Sequence, residues 1–412
     1  LYVMLKPAGA HCNLACKYCY YLEKNNLYQN SHRHLMSDEM LEQFTREYIE
    51  AQTMPQVLFT WHGGEPLMRS IDFYKKALAL QKKYAHGKQI DNVIQTNGTL
   101  LTDEWCEFFA QNHWLVGISI DGPQEYHDHY RVTPAGKPSW EKVMQGISLL
   151  KKHRVEWNAM AVVNAYNAEH PLEFYHFFRD NGCQYLQFTP IVERLTEHED
   201  GRTLASLADV SHEDNYEDVG NAKKQKENQE ITIANFSVTP EQWGKFLCTI
   251  FDDWVRHDVG KIFVEIFDCT LANWVGVQPG ICAYSKECGH AGVMEHNGDV
   301  FSCDHFVFPE YKLGNIQDKS LIDMLYGEKQ QAFSRLKHTS LPRQCKECDM
   351  EFACHGECPK NRFENDKYGE PGLNYLCKGY YEYYTHVAPY MDFMKRELQA
   401  QRPPANIMNV LK

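Results

Sequence analysis

Residues 12–19 read CNLACKYC and place three cysteines, Cys12, Cys16 and Cys19, on one short loop of a 412-residue chain. This spacing brings three thiolates close enough to bind three irons of a cuboidal 4Fe-4S cluster, so the fourth iron has no protein ligand. An open iron indicates that a small molecule binds there, because ferredoxin-type electron carriers complete the cluster with a fourth cysteine. Zinc with His11 as a fourth ligand is the alternative. A histidine directly beside the first cysteine is, however, poorly placed to bind the same ion.

The cysteine loop follows the first of six short β-branched or aromatic runs that alternate with amphipathic stretches. The predicted strands are residues 1–6, 57–61, 92–95, 115–120, 156–163 and 184–189. The predicted helices are residues 38–52 after the N-cap Ser37, 71–85, 103–112, 140–153 and 169–181. This alternation predicts an α/β fold in which a parallel sheet curls into a partial (β/α)6 barrel. The active site should then lie at the C-terminal ends of the strands.

With Tyr18 between its second and third cysteines, the loop resembles the C-x3-C-x-aromatic-C signature of the radical S-adenosylmethionine (SAM) superfamily. The resemblance implies that the amino and carboxylate groups of SAM bind the open iron. It also implies that one electron from the cluster cleaves SAM to a 5'-deoxyadenosyl radical, so that the cofactor carries the radical chemistry.

The motif Gly63-Gly64-Glu65-Pro66 follows the second predicted strand and therefore lies on the same rim as the cysteine loop. Two glycines allow the backbone to approach a ligand closely, and a carboxylate can receive an ammonium group. On its own the motif is only a turn after a strand. Beside the cysteine loop it becomes a candidate site for the amino group of SAM.

Composition excludes several classes of protein. The net charge of -13 and the pI of about 5.9 provide no basic excess to neutralise phosphates, so no nucleic-acid partner is expected. The sequence has no run of about 18 apolar residues, and no positively charged leader precedes the cysteine loop. We therefore expect a soluble cytoplasmic protein without a membrane partner. Fifteen cysteines in a chain of this kind indicate metal ligation rather than a disulfide framework.

The second half of the chain is less regular. Residues 193–236 are charged and poorly periodic, which predicts a solvated excursion. Helical periodicity resumes at 240–257, a strand is predicted at 261–266, and Asn297-Gly298 predicts a hairpin between 293–296 and 299–301. A final helix is predicted at 380–400. The predicted division is a barrel at 1–236, a linking helical segment at 237–276, a loop-rich cysteine domain at 277–380, and a C-terminal helix and tail at 381–412.

Eight further cysteines lie in the C-terminal part of the chain. Eight thiolates are the number needed for two fully ligated 4Fe-4S clusters, although two structural zinc sites would use the same residues. Iron-sulfur is favoured because a radical enzyme must exchange electrons. These cysteines are Cys282, Cys288, Cys303, Cys345, Cys348, Cys354, Cys358 and Cys377.

Their order resembles the SPASM extension of peptide-modifying radical SAM enzymes. The resemblance implies an inner cluster held by Cys282, Cys288, Cys303 and Cys358. It implies an outer cluster held by Cys345, Cys348, Cys354 and Cys377. The remaining cysteines fit no ligand pattern and are expected to be buried as small hydrophobic residues; they are Cys106, Cys183, Cys248 and Cys269.

Asp304 directly follows the third of the eight C-terminal cysteines, Cys303. Taken alone, it would be a solvated loop aspartate. From Lys6 through Cys377, however, the chain resembles the anaerobic sulfatase-maturating enzymes. In that family the aspartate after the third SPASM cysteine is the proton acceptor. The resemblance therefore implies that Asp304 acts as the general base.

The same resemblance implies a reaction and its cofactors. A cysteine or serine within a Cys/Ser-x-Pro-x-Arg motif of a sulfatase is oxidised to Cα-formylglycine under anaerobic conditions. The reaction would use three 4Fe-4S clusters, SAM, and an external one-electron reductant such as flavodoxin or ferredoxin. One electron would leave through the two auxiliary clusters. Together with Gly63 and Glu65 of the motif above, the implied SAM contacts are Tyr18, Gly64, Ser119, Arg131 and Val192.

Two other functions remain open from the sequence. A SPASM enzyme that forms a thioether or carbon-carbon crosslink in a ribosomal peptide would use the same cysteines. Many such enzymes carry a leader-peptide recognition domain before the cluster loop, and the 11 residues that precede Cys12 favour the sulfatase reaction. A non-catalytic iron-sulfur electron-transfer protein would not cleave SAM, and it would leave the three-cysteine site unexplained.

Overall fold

The structure is a computed structural model that describes residues 1–28, 35–198, 201–204 and 231–411. The chain forms two compact units, Leu1–Ala161 with Gly289–Ser334, and Val162–Cys288 with Arg335–Lys412. The division into four segments that the sequence predicts does not follow the boundaries of these two units, and it stays a prediction. Among the described residues, no helix combines the length and the hydropathy of a membrane-spanning segment.

The strands are short and are numbered in chain order. They are β1 (Tyr2–Lys6), β2 (Gln56–Trp61), β3 (Gln89–Thr96), β4 (Leu115–Ser119), β5 (Glu156–Val163), β6 (Tyr185–Pro190), β7 (Arg194–His198), β8 (Gly201–Leu204), β9 (Ile231–Ile233), β10 (Phe263–Val264), β11 (Ala291–Glu295), β12 (Asp299–Phe301), β13 (Lys312–Asn315), β14 (Glu364–Asn365) and β15 (Pro371–Leu373).

The α-helices are numbered in the same way. They are α1 (Asp38–Ala51), α2 (Ile71–Tyr84), α3 (Asp103–Gln111), α4 (Gln124–Tyr130), α5 (Trp140–Lys152), α6 (Pro171–Asp180), α7 (Pro240–His257), α8 (Glu265–Val275), α9 (Leu321–Leu325), α10 (Glu328–Thr339), α11 (Arg343–Lys346), α12 (Glu351–Cys354), α13 (Cys377–Gln399) and α14 (Ile407–Val410). Short 3₁₀ turns include Leu22–Tyr28 and Asp304–Phe306.

In the first unit, β1 to β5 pair in parallel and in sequence order. Parallel neighbours need a crossover between them, and α1, α2, α3 and α5 provide it. Ser37 begins α1 as predicted, because its side chain accepts a hydrogen bond from the Met40 backbone N–H at 3.1 Å. The six predicted strands, including β6 of the second unit, and the five predicted helices are thus confirmed to within a few residues.

A hairpin extends the sheet of the first unit, and β13 then pairs antiparallel with β12. β11 pairs in parallel with β1, with Tyr2 opposite Ala291, and β12 then returns antiparallel to β11. The predicted turn at Asn297-Gly298 is confirmed, and Gly298 has a φ of 88°, which favours glycine. This pairing brings residues after 300 beside the end of the first strand.

Aromatic side chains form the core beneath α1 to α3. Trp61 at the end of β2 stacks on Trp114 with ring centroids 6.2 Å apart, and the Tyr74 ring packs edge-on against both. All three side chains are buried. Burial of such large rings stabilises the sheet from one side and leaves the C-terminal strand ends free to carry polar residues.

In the second unit, β6 pairs in parallel with β10, and β7 pairs antiparallel with both β8 and β9. The prediction that residues 193–236 form an irregular excursion is therefore wrong for its described ends, which form a three-stranded sheet. Residues 205–230 of that segment lie outside the described residues.

The strand predicted at 261–266 is also wrong beyond Val264, because α8 begins at Glu265. Glu265 and Asp268 lie in the first helical turn, where acidic groups favour a helix N-terminus. The buried side chains of α8 then recur at helical spacing, as in Ile266, Thr270 and Trp274.

Two glycines allow the long helices of the second unit to pack closely. A Cβ added to Gly379 of α13 would lie 2.2 Å from the Pro240 carbonyl oxygen of α7. A Cβ added to Gly244 of α7 would lie 3.0 Å from the Gly379 Cα. The predicted helices at 240–257 and 380–400 are confirmed, the second of them starting earlier, at Cys377.

Candidate functional site

The loop that carries Cys12, Cys16 and Cys19 follows β1 directly. Its backbone is fixed by hydrogen bonds to a neighbouring segment of the same unit, from Ala15 N to Val132 O at 2.8 Å and from Lys17 N to Tyr130 O at 2.9 Å. The three thiols are therefore presented by a single anchored loop at the C-terminal end of a parallel strand.

The surroundings of the thiols fit an iron-sulfur cluster. Burial raises the pKa of Cys12 to about 11 and of Cys16 to about 12, so a bound metal is needed to hold them as thiolates. Amide groups already point at the Cys12 sulfur, with Leu14 N at 3.4 Å and Asn97 Nδ2 at 3.7 Å. Hydrogen bonds to cluster sulfurs are one of the means by which proteins adjust a cluster's potential.

The glycine pair approaches the cysteine loop itself. A Cβ on Gly64 would lie 2.2 Å from the His11 carbonyl oxygen, and one on Gly63 would lie 2.9 Å from the Gly9 oxygen. Backbone hydrogen bonds of 2.8 Å run from Gly64 N to Gly9 O and from Glu65 N to His11 O. The glycines were predicted to let the backbone approach a ligand closely. In the structure the backbone at these glycines closely approaches the cysteine loop.

Glu65 is fully buried and connects two rim turns. Its Oε1 accepts from the Leu67 N–H at 3.0 Å and from Thr96 Oγ1 at 2.7 Å, while Oε2 accepts from the Asn97 N–H at 2.8 Å. Burial outweighs these hydrogen bonds and raises the pKa of Glu65 to about 7. The carboxylate therefore holds the turn after β2 against the turn after β3, next to the cysteine loop.

Tyr18 and Arg131, two of the predicted SAM contacts, meet at one carboxylate. The Tyr18 hydroxyl donates to Asp121 Oδ2, and Arg131 Nε lies 3.0 Å from the same oxygen. All three residues are buried. Arg131, an implied SAM contact, therefore already pairs with a carboxylate of the protein through its Nε. Asp121 was not among the predicted site residues.

The other two predicted SAM contacts, Ser119 and Val192, belong to different units. Ser119 ends β4, and its hydroxyl accepts a hydrogen bond from Gln95 Nε2 at 2.9 Å. Val192 belongs to the second unit, where its side chain is buried and its carbonyl oxygen accepts from Lys360 Nζ at 2.7 Å.

Asp304 begins a 3₁₀ turn after the β11–β12 hairpin. Its Oδ1 lies 2.5 Å from Lys6 Nζ, and its Oδ2 accepts a 2.5 Å hydrogen bond from the Tyr20 hydroxyl. Burial alone would raise the pKa of Asp304. The neighbouring cationic groups Lys6, His62 and His305 together outweigh burial and hold the pKa well below its usual range. Asp304 is therefore a partly buried carboxylate with two partners, Lys6 and Tyr20.

An apolar cluster connects the cysteine loop to this hairpin. Tyr21 and Ala10 from the loop pack against Val293, Phe301 and Val307. The Tyr21 hydroxyl also donates to Glu295 at the end of β11. The hairpin that carries Asp304 is thus packed directly against the loop that carries the three cysteines.

Seven of the eight C-terminal cysteines belong to the second unit. Cys377 lies within electrostatic range of Cys345 and Cys348, and Cys354 within range of Cys377 and Cys345. The structure therefore brings together the four predicted ligands of the outer cluster.

Cys358 lies in the same way near Cys282 and Cys288. These three cysteines are three of the four predicted ligands of the inner cluster. The loop of Cys282 is held by the buried ammonium of Lys337 on α10. Lys337 Nζ donates to the carbonyl oxygens of Cys282 at 2.6 Å and Ala283 at 2.7 Å, and to that of Ser285. The fourth predicted ligand, Cys303, belongs to the first unit.

In the part of the chain that the structure describes, no three cysteine, histidine or acidic side chains are grouped to hold a single metal ion. A cluster does not require such a group, because each thiolate binds a different iron. Of the cysteines outside the ligand pattern, Cys106, Cys183 and Cys269 are buried as predicted, and Cys248 is half-buried.

Besides Asp121, sequence reasoning missed Lys6, Tyr20 and His62. Lys6 and His62 occupy the C-terminal ends of β1 and β2, where barrel enzymes place functional groups, and this position was the available signal. Tyr20 follows the last cysteine of the loop. Its contact with Asp304 spans 284 positions of sequence, so no local pattern could reveal it.

Comparison with known families gives two matches. The model described as the radical SAM superfamily matches residues 7–178. The SPASM model, described as an iron-sulfur cluster-binding domain, matches residues 287–349. The two matches include the cysteine loop and the hairpin with Asp304, respectively.

Full-length relatives are also found. The chain is 67% identical over 412 residues to the serine-type anaerobic sulfatase-maturating enzyme of Bacteroides thetaiotaomicron, covering 100% of this chain and 95% of the relative. A solved structure, native anSMEcpe with bound AdoMet, has a TM-score of 0.80 at 28% identity and covers 96% of this chain and 99% of its own. Native anSMEcpe with bound AdoMet and Cp18Cys peptide has a TM-score of 0.78 at 27% identity, with the same coverage.

Proposed function

The chain belongs to the anaerobic sulfatase-maturating enzymes of the radical SAM superfamily, and on this premise we propose that it oxidises a serine of its sulfatase substrate to Cα-formylglycine. Its fold is the radical SAM α/β partial barrel followed by a SPASM domain, as predicted. It is an enzyme that modifies a sulfatase, and it uses SAM, a 4Fe-4S cluster and auxiliary iron-sulfur clusters. The identity to a maturase over the whole chain does not favour a peptide-crosslinking enzyme or a non-catalytic electron carrier.

The choice of serine is supported by the relative at 67% identity, which is a serine-type enzyme. Cysteine is the second candidate, because its thiol would react at the same position in the substrate. The observation that carries the chemistry is the partly buried Asp304 carboxylate, which follows a hairpin packed against the cysteine loop.

In the proposed mechanism, Cys12, Cys16 and Cys19 hold the cluster, and the rim residues receive SAM. When bound, the cluster and SAM supply the one-electron chemistry that takes a hydrogen atom from the substrate Cβ. The rim residues proposed to contact SAM are Tyr18, Gly63, Gly64, Glu65, Ser119, Arg131 and Val192.

Asp304 completes the oxidation by accepting the hydroxyl proton of the substrate serine. The substrate thus loses one hydrogen atom from Cβ, one proton from oxygen and one electron, and a carbon-oxygen double bond forms. The eight C-terminal cysteines would hold the auxiliary clusters, which would supply an acceptor for that electron. With cysteine as substrate, the product would be a thioaldehyde that water hydrolyses to the same aldehyde.

The proposed partners are a sulfatase polypeptide that carries a Cys/Ser-x-Pro-x-Arg motif and an external one-electron reductant such as flavodoxin or ferredoxin. Peptide recognition is supported by the related structure that contains a bound peptide. We also propose a cytoplasmic location, because that compartment keeps cluster-ligating thiols reduced.

The test is anaerobic incubation of the reconstituted enzyme with SAM, reductant and three peptides that differ only in the target residue, serine, cysteine or alanine. Mass spectrometry should show a loss of about 2 Da from the serine peptide, as expected for removal of two hydrogens. The cysteine peptide should lose about 18 Da if it is also accepted. Deoxyadenosine release without a modified serine peptide would refute the proposed substrate.

A variant pair tests the base. Asp304→Asn should cleave SAM but form little aldehyde, because an amide cannot accept the proton. Asp318→Asn, an exposed aspartate of the same unit, should match the unmodified enzyme. Normal aldehyde formation by Asp304→Asn would remove Asp304 from the mechanism.

A further inference from the structure

A fully buried lysine ends the first strand. Lys6 is the last residue of β1, its side chain is 0% exposed, and its Nζ lies 2.5 Å from Asp304 Oδ1. Lysine is almost never fully buried unless it is paired, because removing an ammonium from water costs several kcal/mol. The position of Lys6 is therefore a specific arrangement rather than an ordinary strand end.

The other neighbours of Lys6 complete the environment of its ammonium. His62 Nδ1 lies 3.3 Å from Nζ, and the centroid of the Tyr21 ring lies 4.0 Å from it. His62 Nδ1 also accepts the Gly63 backbone N–H at 2.8 Å, so this nitrogen carries no proton and can accept from Lys6. A carboxylate, an imidazole nitrogen and an aromatic face thus fix the ammonium in place.

Asp304 is fixed in turn from two sides. Lys6 holds Oδ1, and the Tyr20 hydroxyl donates to Oδ2 at 2.5 Å. These partners come from separate segments, the end of β1 and the end of the cysteine loop, so rotation of the carboxylate would break at least one contact. A carboxylate has about four lone-pair positions, so these two contacts do not use all of its capacity to accept protons.

We infer that Lys6 is a positioning residue for the reaction, which holds the Asp304 carboxylate in the orientation that accepts the substrate proton. The inference rests on the proposed role of Asp304. Lys6 itself takes no proton and forms no bond to substrate. Its removal should impair proton acceptance without impairing SAM cleavage, since Asp304 has no part in that cleavage.

The experiment measures two products of the reconstituted enzyme, deoxyadenosine and peptide aldehyde, and reports the aldehyde formed per deoxyadenosine. Lys6→Met should lower this ratio about tenfold or more, as expected when one partner of a buried ion pair is removed. Its iron content and deoxyadenosine formation should stay near those of the unmodified enzyme. Lys6→Arg, which keeps the charge, should restore part of the ratio.

Lys312→Met is the matched control. Lys312 pairs with Asp299 at 2.7 Å in the same unit, but its side chain is 40% exposed. This variant loses a lysine-aspartate pair without touching Asp304, so its ratio should be unchanged. A lowered ratio in Lys312→Met would show that loss of any such pair disturbs the unit, and it would overturn the inference.

The double variant Lys6→Met with Asp304→Asn separates the two proposals. If Lys6 acts through Asp304, the double variant should have the same ratio as Asp304→Asn alone. A normal ratio in Lys6→Met with a low one in Asp304→Asn would overturn the inference and leave the proposed function standing. A normal ratio in Asp304→Asn would overturn the proposed base itself. Loss of iron or of SAM cleavage in both Lys6→Met and Lys6→Arg would show a structural role and refute positioning.

Discussion

The Tyr20 hydroxyl donates a 2.5 Å hydrogen bond to Asp304 Oδ2. Tyr20 directly follows Cys19, the last cysteine of the N-terminal loop, and Asp304 directly follows Cys303. The cysteine loop and the segment of Cys303, which are separated by more than half of the chain, are therefore in contact through the residues that follow these two cysteines.

Tyr20→Phe tests this contact. It removes one of the two partners that hold the Asp304 carboxylate, so aldehyde formation at saturating peptide should slow about tenfold. Deoxyadenosine release should persist. Tyr28→Phe is the control, because the Tyr28 hydroxyl donates to Asp299 at 3.3 Å in the same unit and should be dispensable. Equal aldehyde formation by Tyr20→Phe and Tyr28→Phe would contradict the prediction.

Gly64→Ala should displace the cysteine loop. The new Cβ would lie 2.2 Å from the His11 carbonyl oxygen, a backbone atom that cannot move without shifting the loop. We expect loss of cluster iron and a destabilisation of about 3 kcal/mol or more, as for other overpacked sites. The control is Gly136→Ala, whose Cβ meets no atom within 4 Å but whose φ of 73° costs about 1 kcal/mol. Measurements of the iron content per chain and of the thermal unfolding midpoint distinguish Gly64→Ala from Gly136→Ala.

Lys337→Met should loosen the loop of Cys282. It leaves three carbonyl groups without their shared donor. The hydrogen bond to Ser285 is buried, and its loss costs about 1–3 kcal/mol. Iron per chain should fall in anaerobic reconstitution, because the loop that carries a proposed ligand is no longer held. Lys378→Met removes an exposed pair with Glu241 and should keep its iron. Full iron content in Lys337→Met would show that the loop holds its shape alone.

Glu265 should make stability depend on pH. Burial, with a smaller contribution from Asp268, raises the pKa of Glu265 from 4.5 to about 7. The folded chain therefore binds this proton more tightly than the unfolded chain. Its contribution, on the order of 3 kcal/mol, is fully present below about pH 4.5 and is lost as the pH rises through about 7.

The measurement is the thermal midpoint at about pH 5 and about pH 8. The midpoint of the unmodified enzyme should fall between these values by more than that of Glu265→Gln, whose amide does not titrate. Glu364→Gln, at an exposed position, should behave like the unmodified enzyme. The prediction fails if Glu265→Gln keeps the full pH dependence.

Much of the fold could be predicted because local chemistry repeats along the chain. Strand and helix periods alternate six times, and a cap such as Ser37 or a turn such as Asn297-Gly298 marks where elements begin and end. The failures occurred where tertiary contacts decide. A strand was predicted at 261–266, but it ends at Val264 and α8 begins at Glu265. The apolar residues of α8 are buried at helical spacing. The short helix α4 gave no periodic signal, because it spans only seven residues.

Only those parts of the candidate site that are short sequence motifs could be predicted from the sequence. The cysteine loop and the Gly63-Gly64 turn carry their chemistry in adjacent residues. The partners of Asp304 are not adjacent to it in the sequence, and nothing in the sequence around Lys6 distinguishes it from an ordinary lysine at the end of a strand. Tertiary contacts bring Lys6 and Asp304 together, among them the pairing of β1 with β11, and that register is not encoded in either segment alone.

The same pairing sets an order for biosynthesis. Tyr2 pairs with Ala291, so one edge of β1 has no partner from β11 until almost 300 residues have left the ribosome. At roughly 5–20 residues per second, this interval lasts on the order of 15–60 s. During that time a nascent chain exposes a strand edge, which is prone to pair with other chains, and three reactive thiols beside it. The growing chain therefore needs protection from aggregation and oxidation before it can assemble its active site.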